Sequence, residues 1–127
     1  MNKLALGTVQ FGLDYGVTNN SGQVEHEEVG SILEFAKNND VNVLDTAASY
    51  GRSEKVLGST GVGDFQVITK TTPLKSDVNE VIDNFYKSLK NLNRAQVYGL
   101  LVHDVSDIEN EHFDVLYRKI IELKQQG

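Results

Sequence analysis

Residues 45–58 read DTAASYGRSEKVLG and follow directly on the apolar run VNVL at 41–44. That run has the length and β-branched content of a buried strand. Asp45 would therefore stand at the carboxyl end of a strand, and Tyr50 would lie in the loop that follows. The stretch predicts that a carboxylate and a phenol lie side by side at the rim of a sheet, where reactive groups are commonly placed.

The composition excludes several classes of protein. The chain has 127 residues and a formal net charge of -6, which argues against nucleic acid or an anionic membrane as its partner. It has no cysteine, so disulfides, thiolate metal sites and cysteine nucleophiles are excluded. His26 and His112 do not have the spacing of a zinc-protease motif, and we predict no metal site.

No apolar run approaches the about 20 residues of a membrane span. The first residues, MNKLALGTVQFG, lack the apolar core and cleavage site of a signal peptide. We therefore predict a cytoplasmic protein whose residues 1–127 belong to a single domain.

Short apolar runs with the content of strands recur along the chain. They are KLALGTV (3–9), VNVLDTA (41–47), FQVITKT (65–71) and VYGLLVHD (97–104). Between them, apolar residues repeat at helical spacing. These helical patterns cover 25–39, 77–92 and 111–125, and a shorter one covers 53–58, with Ser53 as its predicted N-cap and Gly58 as its predicted end.

The predicted order is βαβαβαβα, which gives an α/β fold with parallel strands and right-handed helical crossovers. A TIM barrel has eight such units in about 250 residues, and this chain has four. We therefore predict a parallel (βα)4 half of a TIM (β/α)8 barrel. A flavodoxin-like doubly wound sheet is the alternative, since it begins in the same way.

A half barrel leaves its first and last strands as open edges and uncovers the face that would line the barrel interior. We therefore predict that the chain forms a homo-oligomer or pairs with a missing C-terminal half.

Four polar side chains are predicted to converge at one rim, because reactive groups of TIM barrels sit at the carboxyl ends of the strands. Asp45 ends the second run, Lys70 ends VITK and His103 ends LLVH, while Tyr50 lies just beyond Asp45. Each residue alone is more often structural than functional. Their shared position in three successive units favours a catalytic site.

Such a quartet suits the reduction of a carbonyl group. A phenol ionises at about pH 10 and is a weak acid at neutral pH, but a neighbouring ammonium such as that of Lys70 stabilises the phenolate. Asp45 could keep Lys70 charged. His103 could donate a hydrogen bond that orients the substrate oxygen.

The chain resembles the N-terminal half of an aldo/keto reductase over essentially its whole length. LDTAASYGRSEKVLG matches the most diagnostic signature of that family, and LGTVQFG, VITK and LLVHD match in the expected order. The resemblance implies NAD(P)H-dependent reduction of an aldehyde or ketone. Tyr50 is then the general acid, Lys70 assists its ionisation, Asp45 pairs with Lys70, and His103 orients the carbonyl.

The resemblance also implies the cofactor, NADPH or NADH, bound in an extended form. Gly7 and Thr8 match the first-strand residues that approach the nicotinamide, and Asp45 contacts the nicotinamide ribose. In the family, the pyrophosphate loops and the adenosine phosphate pocket follow the fourth helix. The resemblance therefore does not extend to cofactor binding by this chain alone, which would be a fragment or a split gene product.

Two further readings follow from the resemblance. The opening GTVQFGLDYG is similar to reductases of surface-polysaccharide biosynthesis, which would suit a sugar-derived carbonyl substrate. Some family members instead regulate ion channels, so the fold alone does not establish activity. The alternative function is a non-catalytic half barrel that binds itself or a partner and retains a relic site.

Overall fold

The computed structural model describes residues 3–127. Four strands alternate with four α-helices, and a short 3-10 helix follows the first and the last strand. The strands are β1 (Leu6–Gly7), β2 (Val43–Asp45), β3 (Gln66–Lys70) and β4 (Gly99–Leu101). The α-helices are α1 (His26–Asn38), α2 (Ser53–Thr60), α3 (Val78–Asn91) and α4 (Phe113–Gln126), and the 3-10 helices are Val9–Phe11 and Val105–Glu109.

The strands form one parallel sheet in the order β1-β2-β3-β4. A flavodoxin-like sheet would place its first strand between the second and the third, whereas β1 lies at an edge. The sequential order is that of a barrel wall, so the flavodoxin-like alternative is wrong. The predicted alternation of parallel strands and helices is confirmed.

The strands are shorter than the apolar runs that predicted them, but hydrogen bonding continues just past their carboxyl ends. The backbone N–H of Thr8 donates to the Asp45 carbonyl oxygen over 3.0 Å, that of Thr46 donates to Ile68 over 2.9 Å, and that of Thr71 donates to Leu101 over 2.8 Å. The rim of the sheet is therefore ordered one residue beyond each ladder.

The two faces of the sheet differ in burial. Alternate residues of a strand point to opposite faces, and Leu44 and Val67 are fully buried under the helices. They belong to a core that includes Val29 and Leu33 of α1 and Leu57 of α2. A smaller core of Leu74, Val81 and Leu116 lies near α3 and α4.

The opposite face, called here the inner face, is open. Val43 and Ile68 are half-buried there, and Leu101 is 48% exposed. Within residues 3–127, the side chains of this face are therefore less buried than those of the helix side.

Helix α2 differs from its prediction at both ends. It begins at Ser53 itself, with Arg52 at the N-cap position and no side-chain cap, because the Ser53 hydroxyl bonds elsewhere. It continues through Gly58 to Thr60. Gly58 serves close packing instead of ending the helix, since a Cβ there would lie 2.0 Å from the Asn91 carbonyl oxygen.

Over residues 3–127, no helix combines the length and apolar character needed to cross a membrane.

Candidate active site

Two adjacent parallel strands place an acid and an amine at the same rim. Asp45 is the last residue of β2 and Lys70 the last residue of β3. Asp45 pairs with Ile68, and Lys70 follows two residues later, so both side chains point to the inner face. They form an ion pair, with the Lys70 ammonium bonded to Asp45 Oδ1.

The Lys70 ammonium is the centre of the site. Besides Asp45, it donates to the Thr46 carbonyl oxygen over 2.9 Å and to the Tyr50 hydroxyl over 3.4 Å. An ammonium has three donors, and these partners use all three. The side chain of Lys70 is 15% exposed and that of Asp45 is 34% exposed, so the ion pair is partly shielded but remains reachable from the inner face.

Tyr50 lies between the amine and the imidazole. The Lys70 nitrogen lies 4.9 Å from the centre of the Tyr50 ring, and His103 meets that ring edge to face with 5.9 Å between ring centres. The backbone N–H of His103 donates to Thr71 Oγ1 over 3.3 Å, which ties the end of β4 to the end of β3. The structure thus brings all four predicted residues together.

The arrangement can be compared with known proteins. A sequence model described as the aldo/keto reductase family matches residues 3–127. The chain belongs to the aldo/keto reductase family. No curated protein sequence matches it.

Solved aldo-keto reductase structures share the fold. One is a Pseudomonas aeruginosa protein to which an aldo-keto reductase function has been assigned. It is 29% identical to this chain, with a TM-score of 0.80 over 97% of this chain. A Bombyx mori aldo-keto reductase in complex with NADP is 26% identical, with a TM-score of 0.58 over 78% of this chain and 33% of its own. The holo form of a Bacillus halodurans aldo-keto reductase, at 21% identity and a TM-score of 0.70 over 98% of this chain and 42% of its own, supports the fold alone.

This aldo/keto reductase chain spans about half the length of the relatives it matches, since it covers 51% of the Pseudomonas chain. The predicted fold, a parallel (βα)4 half of a TIM barrel, is confirmed by this match and by the sheet order.

Of the three residues predicted to contact the cofactor, the two from the first strand segment occupy different faces of the sheet. Gly7 pairs with Asp45 and lies on the inner face, where a Cβ added to it would meet no atom within 4 Å. Thr8 is fully buried on the helix side. Its hydroxyl donates to the Asp45 carbonyl oxygen over 3.0 Å, so it supports the backbone of the site from behind.

Ser49 is a site residue that the sequence did not indicate. Its hydroxyl lies 3.2 Å from His103 Nδ1, which fixes one ring nitrogen and leaves Nε2 as the other polar atom of the ring. A serine between Ala48 and Tyr50 in a loop resembles an ordinary turn residue. Only the arrival of β4 beside the loop gives it a partner.

Helix α2 begins with two buried polar residues, Ser53 and Glu54, which the sequence also did not indicate. Ser53 lies among the hydroxyls of Thr8 and Thr46, at 3.0 and 3.1 Å. Glu54 accepts a hydrogen bond from Thr69 over 2.7 Å. These contacts depend on which strands stand next to α2 and therefore on the tertiary fold.

Gly12 allows the loop after β1 to pack against the Tyr50 loop. A Cβ at Gly12 would lie 1.9 Å from the Tyr50 carbonyl oxygen and 2.3 Å from the Ser53 nitrogen. No side chain fits between the two loops, so the glycine fixes how closely they approach. The position of Tyr50 therefore depends on β1 as well as on β2.

Next to His103, Asp104 is committed to a cap. The backbone N–H and the hydroxyl of Ser106 both donate to its carboxylate, which lowers the pKa of Asp104 from its ordinary value.

Over residues 3–127, no group of three or more His, Cys, Asp or Glu side chains is placed to hold a metal ion.

Proposed function

We propose that this site reduces an aldehyde or ketone to an alcohol with NADPH or NADH as the reductant. The observation that carries the proposal is the Lys70 ammonium, which is held by Asp45 and the Thr46 carbonyl oxygen and directed at the Tyr50 hydroxyl over 3.4 Å.

Tyr50 is the proton donor in this proposal. Its oxygen accepts from Lys70, which leaves the phenol hydrogen free for a substrate oxygen. The ammonium then stabilises the phenolate that forms when the proton leaves. Asp45 forms an ion pair with Lys70 in a site that is only partly open to water.

His103 orients the substrate oxygen. If Ser49 donates to Nδ1, the ring proton resides on Nε2, and Nε2 becomes a second donor for the oxygen that Tyr50 protonates. Two converging donors stabilise the charge that develops on that oxygen. This gives Ser49 a role in fixing the tautomer of His103.

A bound reduced nicotinamide would supply the hydride for the reaction. The inner face beside Gly7 fits its flat end, because no atom stands within 4 Å of a Cβ added there, and the carboxylate of Asp45 is accessible beside it. Thr8 contributes indirectly, through the Asp45 backbone. The Bombyx mori relative is in complex with NADP.

The open inner face favours a second candidate, a non-catalytic half barrel that binds itself or a partner. Leu101 at the end of the edge strand β4 is 48% exposed there. Exposed apolar side chains at a sheet edge favour association. The predicted cytoplasmic location stays a prediction.

Two measurements on the purified chain, and on any longer product of its gene, separate the candidates. We expect a saturable change in NADPH fluorescence and NADPH consumption with small aldehydes and ketones. Lys70→Met should abolish consumption, whereas Lys87→Met, on the outer surface of α3, should not. No fluorescence change and no turnover in either product would reject the reductase and favour the non-catalytic candidate.

A further inference from the structure

The first turn of α2 carries two polar residues that are almost inaccessible to solvent. Ser53 is fully buried and Glu54 is 4% exposed. A glutamate is rarely buried to this extent unless its carboxylate has a specific partner. Both residues face the sheet from behind, on the side opposite the inner face.

Ser53 connects α2 with the ends of β1 and β2. Its hydroxyl donates to the Thr8 carbonyl oxygen over 2.9 Å and lies within bonding distance of the hydroxyls of Thr8 and Thr46. Thr8 in turn donates to the Asp45 carbonyl oxygen twice, through its backbone N–H and its hydroxyl, each over 3.0 Å.

Glu54 connects the same turn of α2 with β3. It accepts from the Thr69 hydroxyl over 2.7 Å, and Thr69 directly precedes Lys70. Because side chains alternate along a strand, Thr69 points to the helices where Lys70 points to the inner face. Thr46 and Asp45 alternate in the same way on β2.

The buried contacts reach Lys70 from both strands. The Thr46 carbonyl oxygen accepts directly from the Lys70 ammonium, and the Asp45 backbone carries the carboxylate that pairs with it. We propose that Ser53 and Glu54 are positioning residues that hold Asp45, Thr46 and Lys70 in register and so aim the ammonium at Tyr50. The consequence for catalysis rests on the proposed reductase function.

Paired substitutions separate this role from simple packing. Thr46→Val keeps the shape of the side chain and removes the hydroxyl, whereas Thr46→Ser keeps the hydroxyl and removes a methyl group. If the hydroxyl positions Lys70, the valine variant is impaired and the serine variant is not. If the side chain only fills space, the order is reversed, because lost methyl groups leave cavities.

The direct measurement is the NMR cross-peak between the Lys70 ε-methylene protons and the Tyr50 ring protons in the isotopically labelled 127-residue chain, assigned by its absence in Tyr50→Leu, which has no ring protons. We expect the cross-peak to be lost in Thr46→Val and Ser53→Ala and kept in Thr46→Ser. Ser59→Ala is the matched control, since it removes a hydroxyl that donates to Val56 within α2 over 3.0 Å.

The same comparison at Thr69 tests Glu54. Thr69→Val should lose the cross-peak and Thr69→Ser should keep it, and this pair decides the question if a variant at position 46 or 53 does not fold. An unchanged cross-peak in folded Thr46→Val and Thr69→Val would overturn the inference.

A kinetic measurement extends the test and uses the active product, meaning whichever of the 127-residue chain or a longer product of its gene reduces carbonyl substrates. Since a 1 Å displacement can cost about 100-fold in rate, we expect kcat of Thr46→Val to fall by about 10- to 100-fold with little change in KM, and Thr46→Ser to stay near wild type. The cross-peak requires neither cofactor nor substrate. An intact cross-peak pattern without carbonyl reduction therefore contradicts the proposed function only.

Discussion

The two faces of one small sheet perform different tasks. Towards the helices, Leu44, Thr46, Val67 and Thr69 are fully buried. On the inner face, their strand neighbours Asp45 and Lys70 are partly accessible and carry the candidate chemistry. Each reactive residue is therefore directly followed or preceded by a threonine that the helix side holds fixed.

This contrast shows how a rim site is supported from the helix side of its sheet. Apolar burial on the helix side stabilises the folded chain. The buried hydroxyls on the same side form hydrogen bonds that fix the positions of the residues at the rim. The inner face contributes little to that core over the described residues, so its side chains are available for ligands or for a covering partner.

The largest expected effect is on the free energy of unfolding and follows from a substitution on the helix side of the sheet. Leu44→Ala should lower the free energy of unfolding by about 2–5 kcal/mol, because Leu44 is fully buried in the larger core. Urea denaturation followed by circular dichroism measures this change. A loss below about 1 kcal/mol, typical of a surface site, would mean that the core between the sheet and the helices is not what stabilises the fold.

A smaller but still large effect is expected where two loops meet behind the site. Gly12→Ala should cost about 1–3 kcal/mol, because the new methyl group would overlap the Tyr50 carbonyl oxygen. It should also displace Tyr50 and weaken its NMR contact with Lys70. Gly63→Ala is the control, since a Cβ there meets no atom within 4 Å.

The next effect concerns the inner face. Leu101→Asp should change the folding free energy of a single chain by only about 0.5 kcal/mol, since half of Leu101 is exposed. It should nevertheless abolish the self-association that we expect from the open face, because a charge would be buried in the contact. Light scattering of wild type and variant compares their masses. A compact wild-type monomer would contradict the expected association.

The smallest effect is expected at the surface, where the end of α1 meets the loop before β3. Lys37 forms an exposed ion pair with Asp64, and this hydrogen bond lowers the pKa of Asp64 from its ordinary value of 3.8. The ion pair therefore stabilises the folded state at a pH above the ordinary pKa, and this stabilisation is lost as the pH falls through the lowered pKa of Asp64.

Unfolding midpoints should therefore differ slightly between wild type and Asp64→Asn at neutral pH, and the difference should vanish in strong acid or high salt. Asp83→Asn on α3 is the matched control. A difference that grows on acidification would contradict the assignment.

The sequence was sufficient to predict the fold and the location of the quartet. Strand ends converge in any parallel sheet, so Asp45, Lys70 and His103 could be placed at one rim from their positions alone. The supporting layer could not be predicted in this way. The serine at position 53 has the pattern of an N-cap and Gly58 that of a helix end, because their actual partners, Thr8 and Asn91, are distant in the chain.

Glu54 and Ser49 illustrate the same limit. The glutamate lies in a helix whose polar residues would ordinarily face water, and only the position of β3 reveals that it is buried against Thr69. The serine acquires a partner only because β4 brings His103 beside the loop. Hydrogen-bond partners across the sheet follow from strand register, which local patterns do not contain.

The most direct test of the central claim is a comparison of wild type and Tyr50→Phe in the active product, with single-turnover rates of carbonyl reduction and nucleotide affinity measured together. The substitution removes only the hydroxyl that Lys70 contacts. We predict a rate lower by orders of magnitude and an unchanged nucleotide affinity. A rate near that of wild type would contradict the assignment of Tyr50 as the proton donor and the mechanism built on it.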